Sequence, residues 1–319
     1  MSIESMKELN GRLERGEVVI LDGAIGTELQ HRGVPMDWAA WCAIANVSHP
    51  DLVRQVHEDY IKAGADIITT NTFSSARHSL EPAKRGGQAR EINLRAVALT
   101  KEARARAAKG RPVYIAGSMS PFGALMEAGG LERHSLAKLR SSYKEQASLL
   151  VEGGVDFILL EMIRDVERAT IIMEEAVATG LPVWVGFSTK VDKDGVIKIR
   201  DEWVIVRDLT FDQVYKAVMA LGGSVVAVMH SEVEYIQPTL KDIKARWKGP
   251  VGAYPNSGYW ERPDWKFDKV VSPEAYLSEA KKWVQMGAQI IGGCCGIGPQ
   301  HIEVLKKGLP TRIPASAKR

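Results

Sequence analysis

The chain has few cysteines, no long apolar run and no concentration of charge of one sign. Only Cys42, Cys294 and Cys295 occur in 319 residues. Two of them are neighbours, whose disulfide ring would be strained, so a disulfide-stapled scaffold is excluded and a reducing compartment is expected. No apolar stretch approaches the ~18 residues of a membrane span, and the N-terminal MSIESMKELNGRLERGE is polar and carries acidic residues. The expectation is a cytoplasmic protein with no membrane partner. The formal net charge is +3, with Lys and Arg scattered along the chain, so nucleic acid is not an expected partner. What remains is 45% apolar and 25% charged residues, the balance of a globular protein able to bury a sizeable core.

Short apolar, β-branched runs alternate with longer segments of helical periodicity, the signature of repeated β/α units around a parallel sheet. Eight strands are read: Val18–Asp22, Asp66–Asn71, Val113–Ser118, Phe157–Glu161, Val183–Ser188, Val225–His230, Val251–Tyr254 and Gln289–Gly293. Between them lie helical stretches such as Asp51–Ala63, Gln88–Ala108, Ser135–Glu152, Asp165–Thr179, Phe211–Leu221 and Pro273–Met286. Gly64, Gly180 and Gly287 punctuate their ends. The fold class predicted is α/β, a single (β/α)8 TIM barrel over residues 1–319 with its core at about 17–308. An Asp-Gly turn within 190–210 predicts a hairpin excursion capping one rim, and the charged tail 310–319 is expected to fray.

In such a barrel the working residues gather at the C-terminal ends of the strands. Those ends carry Asp22, Thr70 and Asn71, Ser118, Glu161, Ser188, His230, Asn256, and Cys294 with Cys295, which implies one convergent polar pocket. In IGGCCGIGPQHI two cysteines follow a buried strand inside a glycine-rich turn. Both sulfurs could converge on one ion, soft thiolates select Zn²⁺, and an open fourth position would make the site catalytic. His230 is the third ligand best placed on the same face. The residues alone leave other readings open: the cysteines as small buried side chains, the histidine as a structural hydrogen-bonding group, the Gly-rich loop as a phosphate cradle.

Asp22 and Gly23 lie in LDGAIGTEL, where glycines permit close approach of a ligand; the aspartate would equally serve as a helix cap. Glu161 ends an apolar strand, where a carboxylate is costly unless paired or facing a ligand. Together the two acids could hold an ammonium group. Trp38, Trp41, Phe73, Tyr254 and Trp260 could wall a pocket for an apolar or cationic group, or simply pack the rim. Cys42 is read as packing.

These segments together resemble the homocysteine S-methyltransferase family, zinc barrels that methylate homocysteine to methionine. The resemblance runs from about Ile20 to Ile302 and is carried by LDGAIGTELQHRG at 21–33, HPDLVRQVHEDYIKAGADIITTNTF at 49–73, LLEMIRDVERA at 159–169, GAYPNSG at 252–258 and GGCCGIGPQHI at 292–302. It implies a methyltransferase holding one zinc per chain, with Cys294 and Cys295 as ligands and with Asp22 and Glu161 on the amino group of homocysteine. Gly23, Thr70, Asn71, Phe73, Ser118, Tyr254 and Asn256 complete the expected substrate site. Family members normally carry Asn-Cys at the end of the sixth strand, the cysteine being the third ligand; here Met229-His230 stands there, giving an expected Cys₂His set. The family's donors are sulfonium compounds (S-methylmethionine or S-adenosylmethionine), glycine betaine and methylated corrinoids. Trp41 matches a donor-site aromatic. Where the betaine enzymes carry tyrosines this chain has Ser74 and Met162, so a sulfonium donor is expected. The alternative is another donor or acceptor, such as betaine or sulfonium demethylation with a separate corrinoid protein or a folate partner. A phosphate-binding barrel and a non-catalytic binding descendant are the rival classes.

Overall fold

The computed structural model describes residues 2–123, 134–200, 208–261 and 264–317. Eight parallel strands form the centre: β1 (Val19–Ile20), β2 (Ile67–Thr69), β3 (Tyr114–Met119), β4 (Phe157–Ile163), β5 (Val183–Phe187), β6 (Val225–Glu232), β7 (Val251–Asn256) and β8 (Ala288–Ile291). Their order is β1-β8-β7-β6-β5-β4-β3-β2. A parallel bridge from Leu21 to Ile67 and backbone bonds from Asp66 N to Ile20 O (2.7 Å) and Asp22 N to Ile67 O (3.0 Å) close the ring. All eight strands read from the sequence are present.

Alternation along the strands explains the two-layered core. Val19, Leu21, Ile67, Tyr114, Ala116, Phe157, Leu159, Trp184, Val225, Ala227 and Met229 pack together inside the barrel. Their chain neighbours Val18, Ile20, Ile68, Ile115, Ile158, Leu160, Val183, Val185, Val226 and Val228 pack outward. A period of two in the side chains thus fills a closed interior and, through the other face, buries the helices, as a β/α barrel requires.

One helix follows each strand: α1 (Pro50–Ala63), α2 (Ala89–Ala107), α3 (Leu136–Gly153), α4 (Glu167–Val177), α5 (Phe211–Met219), α6 (Val233–Arg246), α7 (Pro273–Gln285) and α8 (Pro299–Gly308). α1 begins on Pro50, which needs no N–H partner there, and buries Val53, Val56, Tyr60 and Ile61 on one face. It stops at Gly64, whose φ of 108° lets its N–H reach back to Tyr60 O and Ile61 O. α5 opens on a capping box of Thr210 and Gln213. Among the described residues no helix is long and apolar enough to cross a membrane.

Three features depart from expectation or refine it. The N-terminal helix Ser2–Glu14 inserts Met6, Leu9 and Leu13 into the interior cluster, so the core begins well before residue 17. The tail expected to fray is docked as far as Ala317: Val18 N donates to Thr311 O at 2.8 Å, Ile313 N to Gly16 O at 2.9 Å, and Ile313 is buried. Those backbone groups and that apolar side chain outweigh the tail's charge. Residues 318–319 lie outside the described residues. The predicted hairpin is present as Thr189–Val191 paired antiparallel with Ile197–Ile199, while 201–207 of that excursion lies outside the described residues.

Candidate active site

A cavity of about 190 Å³ opens at the C-terminal end of the barrel, lined by residues from most of the strand ends. One wall is acidic. Asp22 is buried and accepts bonds from Thr69 N (2.7 Å) and the Thr69 hydroxyl (2.8 Å). Burial nonetheless raises its carboxyl well above the usual range, with the nearby Glu161 charge adding to the rise. Glu161 accepts a short bond from the Ser118 hydroxyl, but burial outweighs that bond and pushes its carboxyl up to about 7. Neither acid is ion-paired to a Lys or Arg among the described residues, so both are positioned to take a cationic group from a ligand. The Tyr254 hydroxyl is buried on the same wall and faces Glu161, whose carboxyl it holds down in part against that burial.

Facing the acids are two sulfurs and an imidazole. Cys294 Sγ lies 3.9 Å from Cys295 Sγ and 3.9 Å from His230 Nδ1, and one ligand atom from each residue falls within 4.8 Å of the others. Ligands bound tetrahedrally at the usual Zn–S and Zn–N lengths stand roughly 3.6 to 3.8 Å apart, so this donor set fits a zinc ion in chemistry and comes within about an ångström of its spacing. Cys295 is buried, whereas Cys294 and His230 keep a partly open face. The hydrogen bond to Cys295, followed by burial, holds the Cys294 thiol well above its ordinary range. Burial, with Arg200 and Arg164 nearby, drives the His230 imidazole well below its own. Without a cation Cys294 therefore keeps its proton, and His230 has the free base a metal needs.

The placement of His230 is not what strand alternation dictates. Met229 points inward, so its neighbour should face the helices. Between Met229 and Glu232 the β6–β7 register slips by one residue, and His230 adopts a φ of 44°. That bulge turns the side chain into the barrel mouth. A similar slip follows Leu160 on β4, where Met162 has a φ of 57°, next to Glu161. Backbone outliers of this kind cost about 1 to 3 kcal/mol each and gather at working sites.

A third wall is aromatic. Trp41 lies edge-on to Phe73 at 5.8 Å between ring centroids and stacks on Phe122 at 6.2 Å, with Phe73 and Phe122 5.5 Å apart. The Trp41 indole N–H has no partner among the described residues. Trp38 and Trp260 also line the cavity.

The sequence profile of the homocysteine S-methyltransferase family matches residues 19–309. The chain belongs to that family. This methyltransferase is similar to the Homocysteine S-methyltransferase YbgG of Bacillus subtilis, at 29% identity covering 93% of this chain and 96% of that one. It is 28% identical to the Selenocysteine Se-methyltransferase of Brassica oleracea var. italica, over 97% of this chain and 93% of the relative. In three dimensions it matches the metallated form of the Homocysteine Methyltransferase MmuM from Escherichia coli with a TM-score of 0.73 and 23% identity, covering 94% and 99% of the two chains. At that identity the likeness concerns the fold.

Of the residues expected in the methyltransferase site, Asp22, Gly23, Thr70, Asn71, Phe73, Ser118, Glu161, Tyr254, Trp41, His230, Cys294 and Cys295 all border the cavity. Gly23 is required by its surroundings, since a Cβ there would stand 2.3 Å from Ile297 O. Two placements are less direct than expected. Both amide hydrogens of Asn71 are engaged, by Cys42 O (3.0 Å) and Asn46 Oδ1 (2.9 Å), and its oxygen accepts from the Cys42 thiol (3.0 Å), so it braces the loop. Asn256 does not border the cavity; its oxygen accepts from Arg200 at 3.0 Å. Cys42 both packs and borders the pocket, with its thiol pushed up to about 12 by burial. The sequence reading overlooked Thr69, Phe122, Arg164 and Arg200. Strict alternation from Ile67 would have found Thr69; nothing local marks the two arginines.

Proposed function

We propose that this methyltransferase moves a methyl group from an amino-acid sulfonium, S-methylmethionine or S-adenosylmethionine, to the thiol of homocysteine, giving methionine. The observation that carries the reading is the meeting, in one cavity, of three zinc-competent ligand atoms within 4.8 Å of one another and two acids that have no Lys or Arg partner among the described residues. His230, Cys294 and Cys295 would hold one zinc. Zinc there would supply Lewis acidity that lowers the pKa of a substrate thiol.

The protein's own groups do the rest. Asp22 and Glu161 take the substrate ammonium, Glu161 ionising as the ammonium arrives, and the Tyr254 hydroxyl stands beside Glu161. Trp41, Phe73 and Phe122 offer ring faces to the positive sulfonium and keep water from the reacting centre. Arg164 and Arg200 border the same cavity. Their charge opposes a bare cation, which favours a donor bearing its own carboxylate. The thiol gives up its proton to solvent on binding; in the transfer its sulfur attacks the methyl carbon, and the donor's carbon–sulfur bond breaks with its electron pair staying on the donor sulfur. The donor leaves as a neutral thioether, which the aromatic wall holds less tightly than a cation.

The test is zinc content measured together with thiol consumption across sulfonium, betaine, methylated-corrinoid and methylfolate donors. The expected result is one zinc per chain and turnover with a sulfonium. Full activity in metal-free protein would overturn the metal role, and turnover confined to a corrinoid or folate donor would overturn the donor.

A further inference from the structure

His230 meets Cys294 because the chain at the end of β6 is bent out of strand geometry, and a left-handed histidine keeps that shape only where its surroundings hold it. The contact on its backbone comes from Arg200, the residue that follows the hairpin strand Ile197–Ile199. Arg200 Nη1 donates to the His230 carbonyl oxygen at 3.0 Å and to Asn256 Oδ1 at 3.0 Å. Its Nη2 pairs with Glu232 at 2.8 Å. One planar guanidinium thus ties the bulge residue, the residue two places beyond it and the end of β7. The side chain is 16% exposed, and its own backbone is pinned: Arg200 N donates to Ser188 O at 2.9 Å, and Ile199 N to Leu209 O at 2.8 Å.

We infer that Arg200 is a positioning residue for the metal-binding face, locking the backbone of His230 in the turned conformation that aims its imidazole at Cys294. The inference rests on the reading of His230 as a ligand. It gives the hairpin after β5 a task beyond capping the rim, since the hairpin base delivers the guanidinium. Lysine would substitute only in part, because a single ammonium lacks the fork that spans acceptors on two strands. Groups behind metal ligands typically change metal affinity by about 10- to 100-fold when removed.

The experiment compares the full chain with its Arg200→Ala, Arg200→Lys and His230→Ala variants. Zinc affinity is read by competition with a chromophoric chelator, and the ligand set by the visible absorption of the cobalt-substituted proteins. We expect Arg200→Ala to weaken zinc about 10- to 100-fold and to shift the cobalt spectrum toward that of His230→Ala, with Arg200→Lys restoring only part of both. Thermal melting of the metal-free proteins separates this from unfolding, and Arg200→Lys carries the comparison should Arg200→Ala fail to fold. Unchanged affinity and spectrum in the Arg200 variants, with His230→Ala impaired, would overturn this inference alone. A parent chain that binds no zinc, or a His230→Ala variant that binds it normally, would overturn the ligand reading and this inference with it.

Discussion

The Ser118 hydroxyl donates to the Glu161 carboxylate across the mouths of β3 and β4, yet this bond does not offset the burial that raises the acid to about 7. The folded-state value lies above the ordinary 4.5, so between those two pH values the folded chain holds more proton on this group than the unfolded one. Its contribution is full below about pH 4.5 and is lost as pH rises through 7, by at most about 3 kcal/mol. Asp22 is raised in the same direction. Urea denaturation of ligand-free protein from pH 5 to 8 should therefore show falling stability, with a shallower fall in Glu161→Gln. Equal slopes in the two proteins would contradict the assignment.

Asp22 is held by both the N–H and the hydroxyl of Thr69. Asp22→Asn removes the negative charge that faces the substrate ammonium and should raise the KM for homocysteine by about 10- to 100-fold, the worth of one charge-assisted hydrogen bond. Thr69→Val removes one of the two supports and should have a smaller effect on the same constant. Steady-state kinetics with the donor saturating checks both.

Removing either sulfur should empty the site of metal. Cys294→Ala and Cys295→Ala are expected to copurify with little zinc and to lose more than about 100-fold in activity, beyond the loss typical for groups behind the ligands. His230→Cys keeps a competent donor atom at the same place and should retain zinc. Metal analysis of the purified proteins, alongside thiol consumption, decides it.

Trp41 is the centre of the aromatic wall, within 6.2 Å of both phenyl rings. Trp41→Ala should raise the KM of a sulfonium donor by about tenfold, consistent with a desolvated cation–π contact, while Trp41→Phe keeps much of the affinity. The KM for homocysteine should move little in either variant. An equal effect on both substrates would instead mean that the indole supports the pocket as a whole.

Gly23 has no room for a side chain, with Ile297 O 2.3 Å and the Tyr60 hydroxyl 2.8 Å from a Cβ built there. Gly23→Ala is expected to cost about 1 to 3 kcal/mol of stability, read as a lower melting temperature.

The barrel was legible because its strands are buried on both faces and interrupted by helices with clear punctuation; Pro50 and Gly64 bracket α1 as such residues should. That the two acids, His230, Cys294 and Cys295 would meet at one cavity was legible for a simpler reason: a polar residue at the end of an apolar strand has few other uses. Thr69 was missed in favour of Thr70 because the strand end was placed by composition and not by counting inward positions from Ile67. Arg200 was out of reach, since its partners His230, Glu232 and Asn256 come from β6 and β7, some 30 to 56 positions away. The N-terminal helix was hidden by its polar composition. Met6, Leu9 and Leu13 are the side chains it adds to the barrel's apolar interior, and so few apolar residues in a charged segment look like a surface helix until the end they stopper is known.

That stopper has a kinetic corollary. With the floor filled by Met6, Leu9 and Leu13, traffic through the cavity runs through the rim of loops at the C-terminal end. If the thiol substrate sits against the acids and sulfurs and the donor at the rings, as proposed, two molecules sharing that entrance would bind in a fixed order, the thiol first. Departure would then follow the reverse order, the spent donor first, and turnover at high donor concentration would measure how readily the rim lets the methylated product past.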